Sequence, residues 1–416
     1  MADQDFTTLP HPVASEVHIK QFQITVPSSD IEKLHLLLDN SPIPDRNWEN
    51  SQGDDRFGTT RDWVIHAVKE WRHNYNWKQW EHRFNSYPQY TADVTDDDGQ
   101  VYTIHFNALF SKNKNALPIL FLHGWPGSAV QFLPMLDIVN QRYPSSDSLP
   151  YHILVPDLIG FGFSSGPPLD KDFNYVDNAR ILVKLMHIMG FTSAHGGYVV
   201  QGGDLGGIIA PKVAALDPES CRLVHVNILF IPPPEGTNVK EDIRWGRYTD
   251  AEIDALSRGE EFVATGFAYA AIQGTRPGTL GLAFGSSPIA LLSWIGEKFL
   301  QWSDPETKPS LELILTNVSL YWFSKCYPTS IWQYRLMVSG ASGLGSPFDG
   351  VQCPFAYSWF RREICNPPKY WLDRIGKVKW YRHHERGGHF ASLEQPEALW
   401  DDVVDSIADS GLQPRI

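Results

Sequence analysis

The stretch Gly202-Gly203-Asp204-Leu205-Gly206 decides the fold. It follows a compact apolar run, Tyr198–Gln201, and precedes a helical pattern, Ile208–Leu216. A strand that turns sharply into a helix, with small residues two places either side of a central one, is a nucleophile elbow. The small residues are needed because the central residue is strained and its neighbours pass close to other backbone. Here the centre is Asp204, where esterases and lipases carry Ser. A carboxylate can attack a polarised carbon and form an ester that water later cleaves. Asp is also favoured as a helix N-cap, so the motif by itself reads either way.

Working outward, the chain on both sides alternates strand and helix. Val101–Phe110 alternates apolar and polar residues, as a half-buried strand does. Pro118–Leu122, Ile153–Pro156 and Leu223–Leu229 are short apolar runs of the kind buried on both faces of a sheet. Between them lie helical patterns, notably Asn178–Met189. This order predicts an α/β protein whose mostly parallel sheet is covered by helices.

The alternation stops near Ile231. From there to about Val338 the pattern is helical, with a capping box at Thr249-Asp-Ala-Glu252 and Pro288 as first residue of a helix over Ile289–Trp302. The Gly/Ser stretch 339–346 reads as a linker. Strands resume at Gln352–Tyr357 and Val378–Tyr381, and a last amphipathic helix follows Pro396. The expected organisation is an N-terminal wrapping segment (1–95), a first half of the α/β core (96–230), a helical cap (231–338) and a second half of the core (339–416). Residues 1–95 show helical stretches at Ser29–Leu38 and Thr60–Trp71 but no regular strand–helix alternation.

Two further loops complete a constellation. His123-Gly124-Trp125-Pro126-Gly127 follows the strand Pro118–Leu122. In folds built around such an elbow this loop gives a backbone N–H to an oxyanion hole, the other coming from the residue after the nucleophile. Those donors are Trp125 and Leu205. Gly387-Gly388-His389-Phe390 follows the last strand, and His389 stands in the chain order nucleophile, acid, histidine. His383 and His384 read as structural residues at a strand end. The acid that orients His389 is expected after the Gln352–Tyr357 strand: Glu363 is the first choice and Asp373 the fallback.

Composition bounds the rest. A net charge of −13, with no basic cluster, argues against a nucleic-acid or anionic-membrane partner. The four cysteines, Cys221, Cys326, Cys353 and Cys365, have no metal-ligand spacing and read as free, mostly buried thiols. The acidic N-terminus has no apolar signal stretch, and no run reaches the ~18 apolar residues of a membrane helix. A soluble, cytoplasmic protein without metal or cofactor is expected.

Taken together, His-Gly-Trp-Pro-Gly-Ser, Gln-Gly-Gly-Asp, Gly-Gly-His-Phe and the long N-terminal segment resemble the microsomal-type epoxide hydrolases of the α/β-hydrolase fold, most closely their soluble fungal members. The likeness runs from about residue 20 to 405 and includes Ser165-Gly-Pro-Pro-Leu-Asp170 and Ser287-Pro-Ile-Ala-Leu-Leu292. It implies a small apolar epoxide and water as substrates, Asp204 as nucleophile, His389 as base and Glu363 as orienting acid. It also implies two cap tyrosines that donate to the epoxide oxygen. Tyr269, in Gly266-Phe-Ala-Tyr-Ala270, and Tyr334, in Ile331-Trp-Gln-Tyr-Arg335, match them among the sixteen tyrosines. The family's N-terminal membrane anchor has no counterpart, a homodimer is possible, and either detoxification or secondary metabolism fits. Haloalkane dehalogenases share the Asp nucleophile but commonly place Trp where this chain has Leu205. The same fold also accommodates an epoxide-opening cyclase or a non-catalytic binding protein, and the full set Asp204, Glu363 and His389 argues against the latter.

Overall fold

A computed structural model of the chain describes residues 4–12, 18–54, 56–338 and 346–413. Most of the expected linker, residues 339–345, lies outside the described residues. Nine strands form one sheet: β1 (Ile19–Gln21), β2 (Gln89–Thr95), β3 (Val101–Leu109), β4 (Leu117–Leu122), β5 (Tyr151–Pro156), β6 (Tyr198–Gly202), β7 (Cys221–Val226), β8 (Phe355–Phe360) and β9 (Val378–His384). Their order is β1-β2-β3-β5-β4-β6-β7-β8-β9. The pairings from β1 through β3 to β5 are antiparallel and all those from β5 to β9 are parallel. This is the α/β-hydrolase fold expected from the sequence.

Every residue of β4, β5, β6 and β8 is buried, because helices cover both faces of the central sheet. Each buried Val, Leu, Ile or Phe there contributes roughly 1.5–3 kcal/mol relative to exposure. Strand boundaries shift by a few residues from the sequence reading: the expected Gln352–Tyr357 strand is Phe355–Phe360, which brings its C-terminal end next to Glu363. The helix after the elbow starts at Leu205, three residues earlier than its apolar periodicity suggests, because its glycines carry no hydropathy signal.

The N-terminal segment, expected only to wrap, also supplies β1 and β2 to the sheet. Tyr90, Ala92 and Val94 are the buried alternation of β2, so a boundary at residue 95 cuts a hairpin. Its helices Arg61–His73 and Trp77–Phe84 pack on the helical region: the Trp71 indole donates to Ser319 Oγ (2.8 Å), and the Trp77 and Phe323 rings lie 4.8 Å apart.

Among the described residues between β7 and β8 the regular elements are all helical, from Val239–Arg244 to Tyr334–Val338. The Thr249 capping box and the Pro288 start are both present. No single helix among the described residues is long and apolar enough to cross a membrane; Pro277–Gly285 and Pro288–Trp302 pass that test only together and are bent by 115°. The four cysteines are unpaired, Cys221 and Cys326 buried and the other two half-buried.

Candidate active site

Asp204 stands at the corner between β6 and the helix Leu205–Leu216 with φ 51° and ψ −122°, a left-handed-side conformation that costs a non-glycine residue energy. The surrounding sterics explain the glycines. A Cβ on Gly202 would lie 2.1 Å from Gly206 O, and one on Gly206 would lie 2.3 Å from Leu122 O. The loop after β4 closes over this corner so tightly that a Cβ on Gly124 would fall 2.1 Å from Asp204 Oδ1 and 2.5 Å from Leu205 N. The expected donor is in place: Trp125 N–H donates to Asp204 Oδ1 at 2.7 Å. Two cap residues hold the loop, with Asn317 donating to Pro126 O at 2.6 Å and Tyr321 to Gly127 O at 2.8 Å.

His389 reaches the other carboxylate oxygen, its Nε2 3.1 Å from Asp204 Oδ2. Its Nδ1 is 2.7 Å from Oε1 of Glu363, a fully buried carboxylate just beyond β8. Asp373, the fallback, is exposed on the helix Lys369–Ile375, bonded to Lys369 at 2.7 Å and away from the imidazole. Burial works against a charge on His389, but Glu363 and Asp204 together outweigh it and lift its pKa to about 10. The two carboxyl groups thus favour a proton on the imidazole from both ring nitrogens.

Tyr269 follows a π-helical turn, Phe262–Gly266, and Tyr334 opens the short helix Tyr334–Val338. Their rings meet at 5.5 Å and flank Trp125, Tyr269 stacked on it at 5.4 Å and Tyr334 edge-on at 5.8 Å. The residue that donates to the Asp204 carboxylate thus carries the ring on which the two phenols rest. Burial, reinforced by the Asp204 charge, pushes both phenols well above their ordinary pKa, so they stay protonated and able to donate. The Tyr334 hydroxyl is buried, and among the described residues only the neighbouring Tyr269 phenol approaches it, without a well-formed hydrogen bond. An orphaned buried donor is costly, and a substrate oxygen would satisfy it.

Known proteins share this layout. A family model described as the epoxide hydrolase N terminus matches residues 19–132, and one described as the alpha/beta hydrolase fold matches residues 118–255. A protein of Dothistroma septosporum, provisionally named an epoxide hydrolase, is 39% identical over 97% of this chain and 93% of its own. The Aspergillus niger epoxide hydrolase superposes with a TM-score of 0.86 at 38% identity, over 97% of this chain and 100% of that one. The chain belongs to the epoxide hydrolases. The juvenile hormone epoxide hydrolase of Bombyx mori is similar over 95% of both chains, with a TM-score of 0.81 and 25% identity.

Two supports of this hydrolase's site have no signature that sequence reasoning picks out. His123 is fully buried and accepts from Leu158 N–H through Nε2 (3.0 Å), so its Nδ1–H donates to Gly124 O at 3.1 Å. Burial lowers its pKa and keeps it neutral. That carbonyl belongs to the same peptide unit as the Trp125 N–H, so His123 aims the donor at Asp204. The histidine loop is clamped likewise. Gly387 N–H donates to Asp304 Oδ2 (2.8 Å), Gly388 and Phe390 N–H to the Glu394 carboxylate (2.9 Å each), and His389 N–H to Trp302 O (2.9 Å). Trp302 ends the helix Pro288–Trp302 and Asp304 lies just beyond it, so the cap and the histidine loop are fastened to each other. The HGWPG stretch and the run Phe390-Ala-Ser-Leu-Glu394 give the only hints of them. His383 and His384 end β9 as expected, His384 bonded to Asp402 at 2.6 Å.

Proposed function

We propose that this hydrolase opens a small apolar epoxide to a vicinal diol through a covalent ester on Asp204. The observation that carries the reading is the arrangement around one carboxylate. Oδ1 accepts from Trp125 N–H, Oδ2 faces His389, and two buried phenols stand on the Trp125 ring. With Oδ1 tied to the loop, Oδ2 attacks a ring carbon, the carbon–oxygen bond breaks, and Tyr269 or Tyr334 protonates the leaving oxygen. A departing halide would need no such proton, which favours an epoxide over a haloalkane.

The electrostatics then link the two half-reactions. Esterification removes the Asp204 charge that helps hold the His389 proton, so the imidazolium sheds the proton the phenolate needs. The neutral His389 then takes a proton from water as its oxygen bonds to Asp204 Cγ. The charge on Oδ1 is met by Trp125 N–H and Leu205 N–H. Collapse breaks Cγ–Oδ2, His389 protonates the departing alkoxide, and the restored carboxyl returns its proton to the imidazole. Glu363 holds the ring's orientation throughout. The aromatic surface of Trp125, Trp302 and the two tyrosines suits an apolar substrate.

A single turnover in ¹⁸O-water tests the ester. The first diol should carry unlabelled oxygen from Asp204 and the protein should gain label. Label fully in that first diol means direct attack by water and ends the proposal.

A further inference from the structure

The second half-reaction needs a water at Asp204 Cγ that does not compete with the alkyl group for space on the tyrosine side. A cavity of about 20 Å³ lies against Asp204 and His389. Gln201, Gly203, Asn227 and Ser392 also line it, and neither Tyr269 nor Tyr334 does. It therefore meets the carboxylate on a side that the phenols do not line. That volume holds one water, given polar partners to hold it.

The partners are present and otherwise unexplained. Gln201 is fully buried on β6 and Ser392 nearly so, just past the histidine loop. Gln201 Nε2 donates to Asn227 Oδ1 at 3.0 Å, which fixes the way the amide faces. Among the described residues its Oε1 has no partner, and neither does Ser392 Oγ. Two orphaned polar atoms in a buried pocket each cost on the order of 1–3 kcal/mol unless something bonds them. An apolar lining would have avoided that cost. A pocket that places two unpartnered polar atoms among apolar walls, and touches both the ester-forming carboxylate and the base, is suited to one polar ligand.

We propose that this cavity seats the hydrolytic water, and that Gln201 and Ser392 are the residues that position it. The proposal rests on the ester reading above. The water, held through Gln201 Oε1 and Ser392 Oγ, bonds its oxygen to Asp204 Cγ and gives one proton to His389 Nε2. The Cγ–Oδ2 bond then breaks and the diol leaves toward the cap. The epoxide and the water reach the carboxylate from different sides, so the enzyme need not clear one to admit the other. Losing a positioning group should slow the decay of the ester and leave its formation alone.

The test is quenched-flow measurement of ester formation and decay on styrene oxide with Gln201→Met, which keeps the length and removes the acceptor. Ser392→Ala is the second variant, and it decides if Gln201→Met does not fold. In a folded variant, formation should stay within about twofold while decay slows about tenfold or more, so that ester accumulates. Unchanged decay, or formation and decay falling together, overturns the proposal, since a merely loosened structure would spoil both steps. His389→Gln runs alongside: if it accumulates no ester, the ester reading itself is wrong and the cavity assignment goes with it. Accumulation in His389→Gln together with normal decay in the folded variants overturns the cavity assignment alone.

Discussion

The corner that carries Asp204 and the pair formed by Tyr269 and Tyr334 are held by opposite means. At the corner, five consecutive residues fix the geometry, with Asp204 at positive φ and glycines wherever a Cβ would strike backbone. The phenols come from two separate helices of the cap, and their place depends on packing against Trp125 and each other. Oxygen Oδ1 of the carboxylate accepts from Trp125 N–H at 2.7 Å, whereas the Tyr334 hydroxyl makes no well-formed hydrogen bond among the described residues. One region is built before substrate arrives; the other has a hydrogen bond left to make. A nucleophile benefits from fixed position, and a proton donor benefits from an unsatisfied group that the leaving oxygen can meet.

The largest expected effect breaks the cap side. Removing one donor of this kind costs on the order of 10²–10³ in rate, about 3–4 kcal/mol. Tyr269→Phe and Tyr334→Phe should each slow ester formation, less than that where the partner phenol compensates. The double variant should lose it almost entirely, because the two act as a unit and their effects are not additive. Stopped-flow alkylation with circular dichroism as folding control reads this out. A double variant that alkylates at the wild-type rate makes these tyrosines packing residues.

A smaller effect sharpens the core side. Glu363→Gln should leave ester formation nearly intact and slow its hydrolysis by roughly 10²-fold, since the ring loses the carboxylate that fixes its tautomer. The acid limb of hydrolysis should also move to lower pH, because Glu363 raises the His389 pKa and its neutralisation lowers it. Asp373→Asn, far from the ring, should stay within about twofold. The reverse ranking moves the orienting acid to Asp373.

The same contrast explains how much is legible in the sequence. The elbow is legible because its constraint is steric and local: Gly202, Asp204 and Gly206 must occur at fixed spacing. His389 is legible because Gly387-Gly388 marks its loop and the fold fixes the chain order. Glu363 needs only the end of β8, though the apolar pattern sets that strand a few residues early. The tyrosines have no local signature, since any buried Tyr in an amphipathic helix looks the same; only a resemblance to a family can select them. Glu394, Asp304 and His123 are invisible for another reason. They act by accepting from or donating to backbone atoms, and no spacing rule records which peptide a side chain will hold. Strand β2 carries the alternation of a half-buried strand, with Tyr90, Ala92 and Val94 buried, but it stands at the end of a polar, Trp- and His-rich segment that otherwise reads as helical.

The smallest effect is one of stability, and it separates the two regions by pH. His389 has a folded pKa of about 10 against an unfolded value of 6.5. A raised pKa means the folded state holds the proton more tightly. The contribution is complete below pH 6.5 and is lost as pH rises through about 10. The phenols differ. Their folded pKa values lie above 10, so both folded and unfolded forms stay protonated up to about pH 9, and they add no slope there. Urea unfolding of the wild type should therefore show stability falling between pH 7 and 10. His389→Gln should flatten that fall over pH 7–9, and the Tyr269→Phe curve should run parallel to the wild type. If His389→Gln also runs parallel, the imidazole is uncharged at rest. The proton it is meant to return to the phenolate would then be missing, and the link between the two half-reactions would fail even with Asp204 still the nucleophile.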